Sequence, residues 1–471
     1  KVIILDEEDQ LIAQASSELE VSRPHALWSE QDPAAWWQAT HTAMHALQET
    51  NAAALKSVKA IGLAGQMHGA TLLDAQNNII RPAILWNDGR SEAQCKAIEI
   101  KEPRTRAITG NIPMPGFTAP KLVWLREHEP HNFAKVAKVL LPKDYLRFLM
   151  TGDFASDMSD SSGTLWLDVQ NRIWSPTMLK ATGLTEEQMP KLYEGTQITG
   201  QLDAHVAKKW GLQVVPVIAG GGDNAAGAAG IGVINPNQAF LSLGTSGVYF
   251  VANDSYRPNP ENAVHTFCHA IPHHWYQMGV MLSATGSLNW LSLLTGKEPT
   301  ELTKALGLKL QAPGKIQFIP YLSGERTPHN DAAVRGGFLG LSASTSTKDI
   351  THAVLSGVAF GLRDSFEELQ VAGVKFDKLI AIGGGTDSHY WCELIATVLG
   401  VPLLLPKNGD FGAALGAARL AFCATTGANP VEIMTPPVFA KEITPNIQHK
   451  NGYDEEYKRF RKLYPVLKEL N

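Results

Sequence analysis

The chain is poor in the features that mark several large protein classes. Its four cysteines, Cys95, Cys268, Cys392 and Cys423, never form a CxxC pair. That argues against a disulfide framework or a structural zinc site and for a reduced, cytoplasmic protein. No apolar run approaches the roughly 18 residues of a membrane span, and the N-terminus lacks the layout of a signal peptide. Blocks of basic residues are missing too: the closest, Lys458 to Lys462, reads as the polar face of a terminal helix, and the net charge is −5. No nucleic-acid partner is expected. A Walker A motif is absent, which excludes a P-loop enzyme. Asp410-Phe411-Gly412 spells the protein-kinase metal motif without the catalytic loop that should precede it, so it reads as a helix cap. Gly220 to Ala225 fits a dinucleotide turn, but Phe240 to Leu243 stands where that fingerprint needs an acid, and NAD binding fails. Ser156 to Gly163 lacks the closing Glu of a calcium loop. His265, Cys268, His269, His273 and His274 divide between a strand and a turn, so their side chains diverge and hold no metal.

What remains is organised around Pro216 to Gly247. At 471 residues the chain exceeds one hydrophobic core, so two domains are expected. Val214 to Ala219 reads as a buried strand, Gly220 to Gly222 as a sharp turn, and Asp223 as the start of a helix of small residues. Ala239 to Leu243 is the next strand, and Gly244-Thr245-Ser246-Gly247 turns it into a third. A strand-end carboxylate near a turn rich in amides and hydroxyls suggests phosphoryl transfer. The lesser reading of Asp223 is an N-cap of the following helix, a role that could coexist with catalysis. Val58 to Ala64 reads as a buried strand entering Gly65-Gln66-Met67-His68-Gly69, and strand-end loops in α/β sheets are where ligands usually sit. His68 is as readily a structural histidine as a ligand contact. Asn87, Asp88 and Arg90 either line a polar pocket or cap a helix. Leu322 to His329 reads as an exposed charged loop. Gly383 to Gly385 opens a helix and offers its amides to phosphate. Asp410 reads as the N-cap of the helix Ala413 to Ala424, and Tyr453 to Leu470 as one solvated amphipathic helix. Lys1 to Asp6 looks like the second strand of a hairpin with Leu11 to Ser16 as the next, so a preceding strand is expected.

Six stretches then become recognisable together: AGQMHGA at Ala64 to Ala70, RPAILWNDGR at Arg81 to Arg90, GGGDNAAGA at Gly220 to Ala228, LSLGTSG at Leu241 to Gly247, PYLSGERTPHN at Pro320 to Asn330, and IGGGTDS at Ile382 to Ser388. In this order they resemble the FGGY carbohydrate kinases along nearly the full length. The resemblance implies an α/β fold of two actin-like (ribonuclease H-like) ATPase domains with an interdomain cleft, 1–233 binding sugar and 234–471 binding nucleotide. It implies ATP and Mg²⁺ as cofactors, Asp223 as catalytic base, and Met67 and His68 as the sugar-contacting pair, with Asn224 a further sugar contact. It also implies Gly244, Thr245 and Ser246 as the phosphate turn and Gly384 and Gly385 as the adenosine turn. Glycerol kinases carry an Arg-Glu pair where this chain has Met67-His68, which favours a ketopentose, D-xylulose, phosphorylated to D-xylulose 5-phosphate. A homodimer is expected because family members are often dimers. Two departures stand out: no Asp-x-Gly-Thr turn precedes Lys1, leaving the magnesium ligands unassigned, and the stretch from Leu306 to Gly314 is short for the family. The alternatives are a sibling kinase for ribulose or glycerol and, in another class, an actin-like or chaperone-like ATPase.

Overall fold

The computed structural model describes residues 1–407 and 412–470. The expected cap at Asp410 lies outside the described residues; helix Ala413–Thr426 has Gly412 at its N-cap position.

The first half begins with a hairpin, β1 (Val2–Leu5) paired antiparallel with β2 (Leu11–Ala15). Helix α1 (Pro33–Ser57) follows, its first turn closed by Asp32, whose Oδ1 accepts from the Ala34 amide. The next strand is shorter than its apolar sequence suggests. Only Ala64–Gly65 (β3) forms a ladder, with Ile61 adding one bridge to Val217, and Ile61 to Gly65 are half-buried. Helix α2 (Thr118–His128) and helix α3 (Pro142–Thr151) pack behind it, the second ended by Gly152 in the left-handed conformation. Strand β4 (Ala155–Asp157) runs into α4 (Met158–Ser162), a turn in which every residue is buried. Then β5 (Gly221–Gly222) pairs parallel with β3, and α5 (Asp223–Ile231) leaves from it.

The second half is built on one seven-stranded sheet. In chain order its strands and the elements between them are β6 (Ala239–Leu243), β7 (Gly247–Asn253), β8 (His265–Cys268), β9 (Trp275–Met281) and helix α6 (Thr285–Thr295). A small pair, β10 (Gln317–Ile319) and β11 (Gly337–Leu339), stands apart from the sheet, and helix α7 (Thr347–Val371) crosses behind it. Strand β12 (Leu379–Ile382), helix α8 (His389–Leu399), strand β13 (Leu403–Pro406), helix α9 (Ala413–Thr426) and strand β14 (Phe439–Ile443) complete it. The spatial order is β8-β9-β7-β6-β12-β13-β14, with β6, β12 and β13 parallel to one another and the remaining pairs antiparallel. The C-terminal stretch is two helices, α10 (Ile447–Phe460) and α11 (Leu463–Leu470). Tyr453, Tyr457 and Phe460 are buried, so α10 belongs to the core and is no mere solvated cover. Tyrosine on an otherwise charged helix carries its ring inward and needs a partner for its hydroxyl: Tyr457 donates to Asp364 at 2.7 Å.

The halves share packing. One apolar cluster joins Met67, Leu122 and Trp166 of the first half to Phe250, Phe267 and Tyr276 of the second. The closest approach is the crossing of α5 and α9. A Cβ on Gly416 would stand 1.7 Å from the Ala226 carbonyl oxygen, so this backbone contact exists only because position 416 has no side chain. Arg419 of α9 donates to the Ala229 and Gly230 carbonyls at the end of α5 and also pairs with Asp9. Among the described residues no helix is long and apolar enough to cross a membrane.

Candidate active site

Parallel pairing of β3 with β5 puts Gly65 opposite Gly222, so the residues that follow each, Gln66-Met67-His68 and Asp223-Asn224, emerge side by side. A Cβ on Gly222 would lie 2.9 Å from Met67 Cγ. Met67 is buried beneath the Tyr276 hydroxyl, 3.9 Å from its Sδ. His68 has φ +70°, a conformation uncommon outside glycine. Its carbonyl oxygen is held there by Lys121 Nζ at 2.9 Å and Thr118 Oγ1 at 3.1 Å, both from α2. Its Nδ1 donates to the Gly163 carbonyl at 2.7 Å, since a carbonyl can only accept, and Nε2 is therefore a free acceptor. Burial, together with the Lys121 ammonium, pushes the His68 imidazole down to about 3, so it is neutral at physiological pH.

Asp223 is the first residue of α5, and Gly222 occupies the N-cap position without any side-chain cap bond, which removes the N-cap reading. The carboxylate opens to solvent, yet the protein crowded around it desolvates the charge and pushes the pKa up to about 6. The amide and Nδ2 of Asn224 both donate to Asp223 Oδ1, at 2.9 and 3.1 Å, and oppose that rise. Asn224 thus turns its donors to the carboxylate beside it, where the sequence suggests a sugar contact.

Beneath these loops lies an ionic cluster that sequence reasoning missed. Lys143 Nζ stands 2.5 Å from Asp144, 3.0 Å from Asp157 and 3.7 Å from Asp160, all four side chains buried. Burial disfavours the Lys143 charge, but the three carboxylates hold it protonated, while burial pushes the Asp160 carboxyl up. The cluster touches the site through Ser159: its hydroxyl donates to Asp157 Oδ2 at 2.5 Å and accepts from the Gly222 amide at 3.0 Å. The aspartates of Ser156 to Gly163 are the only signal the sequence holds, and without the distant Lys143 they read as a failed cation loop. Asp88 and Arg90 form a second buried pair, extended by Arg90 to Glu30 and stacked under Trp28 with the guanidinium 3.5 Å from the ring centroid. They brace the fold, and Arg90 also lines a small pocket with Trp28 and Trp124, while the N-cap position of the following helix falls to Ser91. A cavity of about 1610 Å³ lies beside Asp223, lined by Gln66, the β1–β2 hairpin, Ile61 to Leu63 and α9.

The second group of expected residues lies at the carboxyl ends of β6 and β12. These strands are parallel neighbours, Ser242 opposite Ile382, so the turn Gly244 to Ser246 and the turn Gly383 to Gly385 stand together. Thr285 and Ala284 donate to the Gly244 and Thr245 carbonyls at 2.9 and 2.8 Å and fix the first turn from the start of α6. The amides and hydroxyls of Thr245 and Ser246 find no acceptor among the described residues. A Cβ on Gly384 would meet nothing within 4 Å, whereas one on Gly385 would come 2.4 Å from Leu243 Cδ2. The open face of this double turn has the character of an anion cradle. No hydrogen bond among the described residues links it to Asp223.

The loop Leu322 to His329, expected to be exposed, is partly folded inward: Gly324, Glu325 and Thr327 are buried. The reason is pairing with distant backbone, since Glu325 Oε1 accepts from the Leu282 amide at 2.9 Å and the Thr327 amide donates to the Val280 carbonyl at 3.0 Å.

An α/β architecture with a seven-stranded sheet, paired glycine turns at parallel strand ends and an open carboxylate is that of an actin-like phosphotransferase. Family comparison narrows the class: residues 1–230 match the N-terminal domain and residues 239–425 the C-terminal domain of the FGGY family of carbohydrate kinases, and the chain belongs to that family. It is 50% identical to a xylulose kinase of Escherichia coli strain K12, over 99% of this chain and 96% of that one. A solved xylulose kinase from Brucella ovis superposes with a TM-score of 0.97 at 53% identity, covering 99% of this chain and 96% of the other. A glycerol kinase of Plasmodium falciparum solved with ADP shares the fold, with a TM-score of 0.89 at 19% identity over 98% and 95%.

Proposed function

We propose that this chain transfers the γ-phosphoryl group of ATP to the terminal hydroxyl of D-xylulose, giving D-xylulose 5-phosphate. The observation that carries the reading is the junction of β3 and β5, which sets the open carboxylate of Asp223 beside the Met67-His68 pair. Full-length likeness to xylulose kinases supports the choice of sugar.

Phosphoryl transfer asks mainly for in-line positioning and charge neutralisation. Asp223 accepts the proton of the attacking hydroxyl, and the two Asn224 donors keep Oδ1 oriented so that Oδ2 faces the acceptor. With its pKa near 6, the carboxylate is ionised at neutral pH yet basic enough to help, a balance that favours general-base catalysis. His68 Nε2 accepts from a sugar hydroxyl and Met67 supplies an apolar floor. The free amides and hydroxyls of Thr245 and Ser246 bind the β- and γ-phosphates, and the Gly384-Gly385 turn takes the adenosine side. Magnesium bound with ATP would neutralise phosphate charge. The four cysteines are free and buried, as suits a reduced cytoplasmic enzyme, and the family habit suggests a homodimer.

The test is ATP consumption by the purified chain against D-xylulose, D-ribulose, glycerol and gluconate. D-Xylulose should give the highest kcat/KM, and no ATP should be consumed faster than a slow background without a sugar. Preference for another acceptor would transfer the reading to a sibling kinase, and sugar-independent hydrolysis would make the chain an actin-like ATPase.

A further inference from the structure

Arg326 is the one residue of the inward-folded loop whose charge the mechanism leaves unused. It is half-buried, and among the described residues its guanidinium has no hydrogen-bond or ion-pair partner. Its position is set by both neighbours. Glu325 is tied to the Leu282 amide; Thr327 Oγ1 donates to the Ala263 carbonyl at 2.9 Å and accepts from the Val280 amide at 3.0 Å. These bonds seat Arg326 against the end of β9 and the approach to β8, where His265 stands. The His265 ring lies 5.6 Å from Phe117, and Phe117 lies 4.9 Å from His68. Arg326 therefore comes from the second half of the chain onto the wall that carries His68 in the first. Its positive charge is felt at both His68 and His265 and helps keep each neutral, but it is not among the groups that act on Asp223. The guanidinium belongs to the His68 side of the site.

A guanidinium that is partly desolvated and unpaired within the protein gains most from an acceptor brought by a ligand. Among the described residues His68 Nε2 is an acceptor without a donor. A sugar hydroxyl is both donor and acceptor, and one hydroxyl can complete the pair. We propose that Arg326 is a substrate-binding residue for the non-reacting end of the sugar: a hydroxyl remote from the transferred phosphoryl donates to His68 Nε2 and accepts from the Arg326 guanidinium. The assignment rests on the reading of the chain as a sugar kinase. It also makes sugar binding a contact between the two halves of the molecule.

The experiment compares wild type with Arg326→Met and Arg326→Lys in the full chain, titrating D-xylulose at saturating ATP and ATP at saturating D-xylulose. A lost charge-assisted hydrogen bond in ground-state binding should raise KM for the sugar about 10- to 100-fold in Arg326→Met. The KM for ATP should stay within about twofold, and kcat should change much less than the sugar KM. Arg326→Lys should recover part of the sugar affinity, because it keeps the charge and loses the fork. Thermal unfolding of each variant provides the structural control, and Arg326→Gln replaces Arg326→Met if the latter does not fold. An unchanged sugar KM, or equal rises for sugar and ATP, overturns the assignment. If wild type ignores D-xylulose but uses another sugar of the panel, the xylulose reading fails alone and the same comparison on that sugar decides Arg326. A wild type inert to every sugar overturns both.

Discussion

At the scale of single residues, the chemistry turns on how Asp223 is dressed. Its carboxylate is not a helix cap, because Gly222 holds that position, and its two bonds to Asn224 leave one oxygen uncommitted. Replacement by Asn preserves shape and can keep both Asn224 bonds while removing basicity. Asp223→Asn should therefore lower kcat by roughly 10² to 10⁴ with little change in unfolding temperature, as steady-state kinetics and thermal melts would show. The pH dependence follows from the raised pKa: the base works only when ionised, so kcat/KM should be flat above about pH 7 and fall about tenfold per unit once pH drops below about 6. A limb nearer the ordinary carboxylate value would mean that the cleft does not desolvate this group. His68 shows a different dependence on context. Its left-handed backbone is held by Thr118 and Lys121, 50 and 53 positions away in sequence, and nothing local announces it.

At the scale of elements, two glycines that look alike in sequence have opposite work. In the turn after β12, Gly384 faces open space and Gly385 lies against Leu243 of β6. Gly384→Ala should leave the melting temperature nearly unchanged and raise KM for ATP several-fold, without a matching rise for the sugar, if this turn cradles the nucleotide. Gly385→Ala places a methyl within 2.4 Å of a buried leucine and should lower stability by about 1 to 3 kcal/mol in denaturant titrations. Equal effects of the two substitutions would contradict the cradle. Small residues play the same packing role where α5 crosses α9, which is why those helices read as alanine- and glycine-rich stretches with no amphipathic stripe.

At the scale of the whole molecule, the halves are joined by a shared apolar cluster and by the α5–α9 crossing, while His68 and Arg326, both proposed to meet the sugar, sit on opposite halves. Closure of the two halves on the sugar would exclude water that could otherwise take the phosphoryl group. Solution scattering should show a smaller radius of gyration with D-xylulose than without it. Identical profiles would mean that the site is preformed.

Much of this was legible in the amino-acid sequence for a physical reason. Strand-turn-helix boundaries depend on neighbours a few positions apart, so Ala239–Leu243, the helix beginning at Asp223 and the left-handed stop at Gly152 could be placed from local chemistry. The six ordered stretches carried the family and the two-domain α/β class. Tertiary structure alone decided which backbones meet. It shortened the strand before Met67 to two residues, turned Asn224 onto Asp223 and set Lys143 among three aspartates. It also drew Glu325 and Thr327 inward on either side of Arg326. Except for the contact between adjacent Asn224 and Asp223, these outcomes depend on partners tens to hundreds of positions apart. Which partners meet depends on how the whole chain packs, and no local window of sequence contains that information.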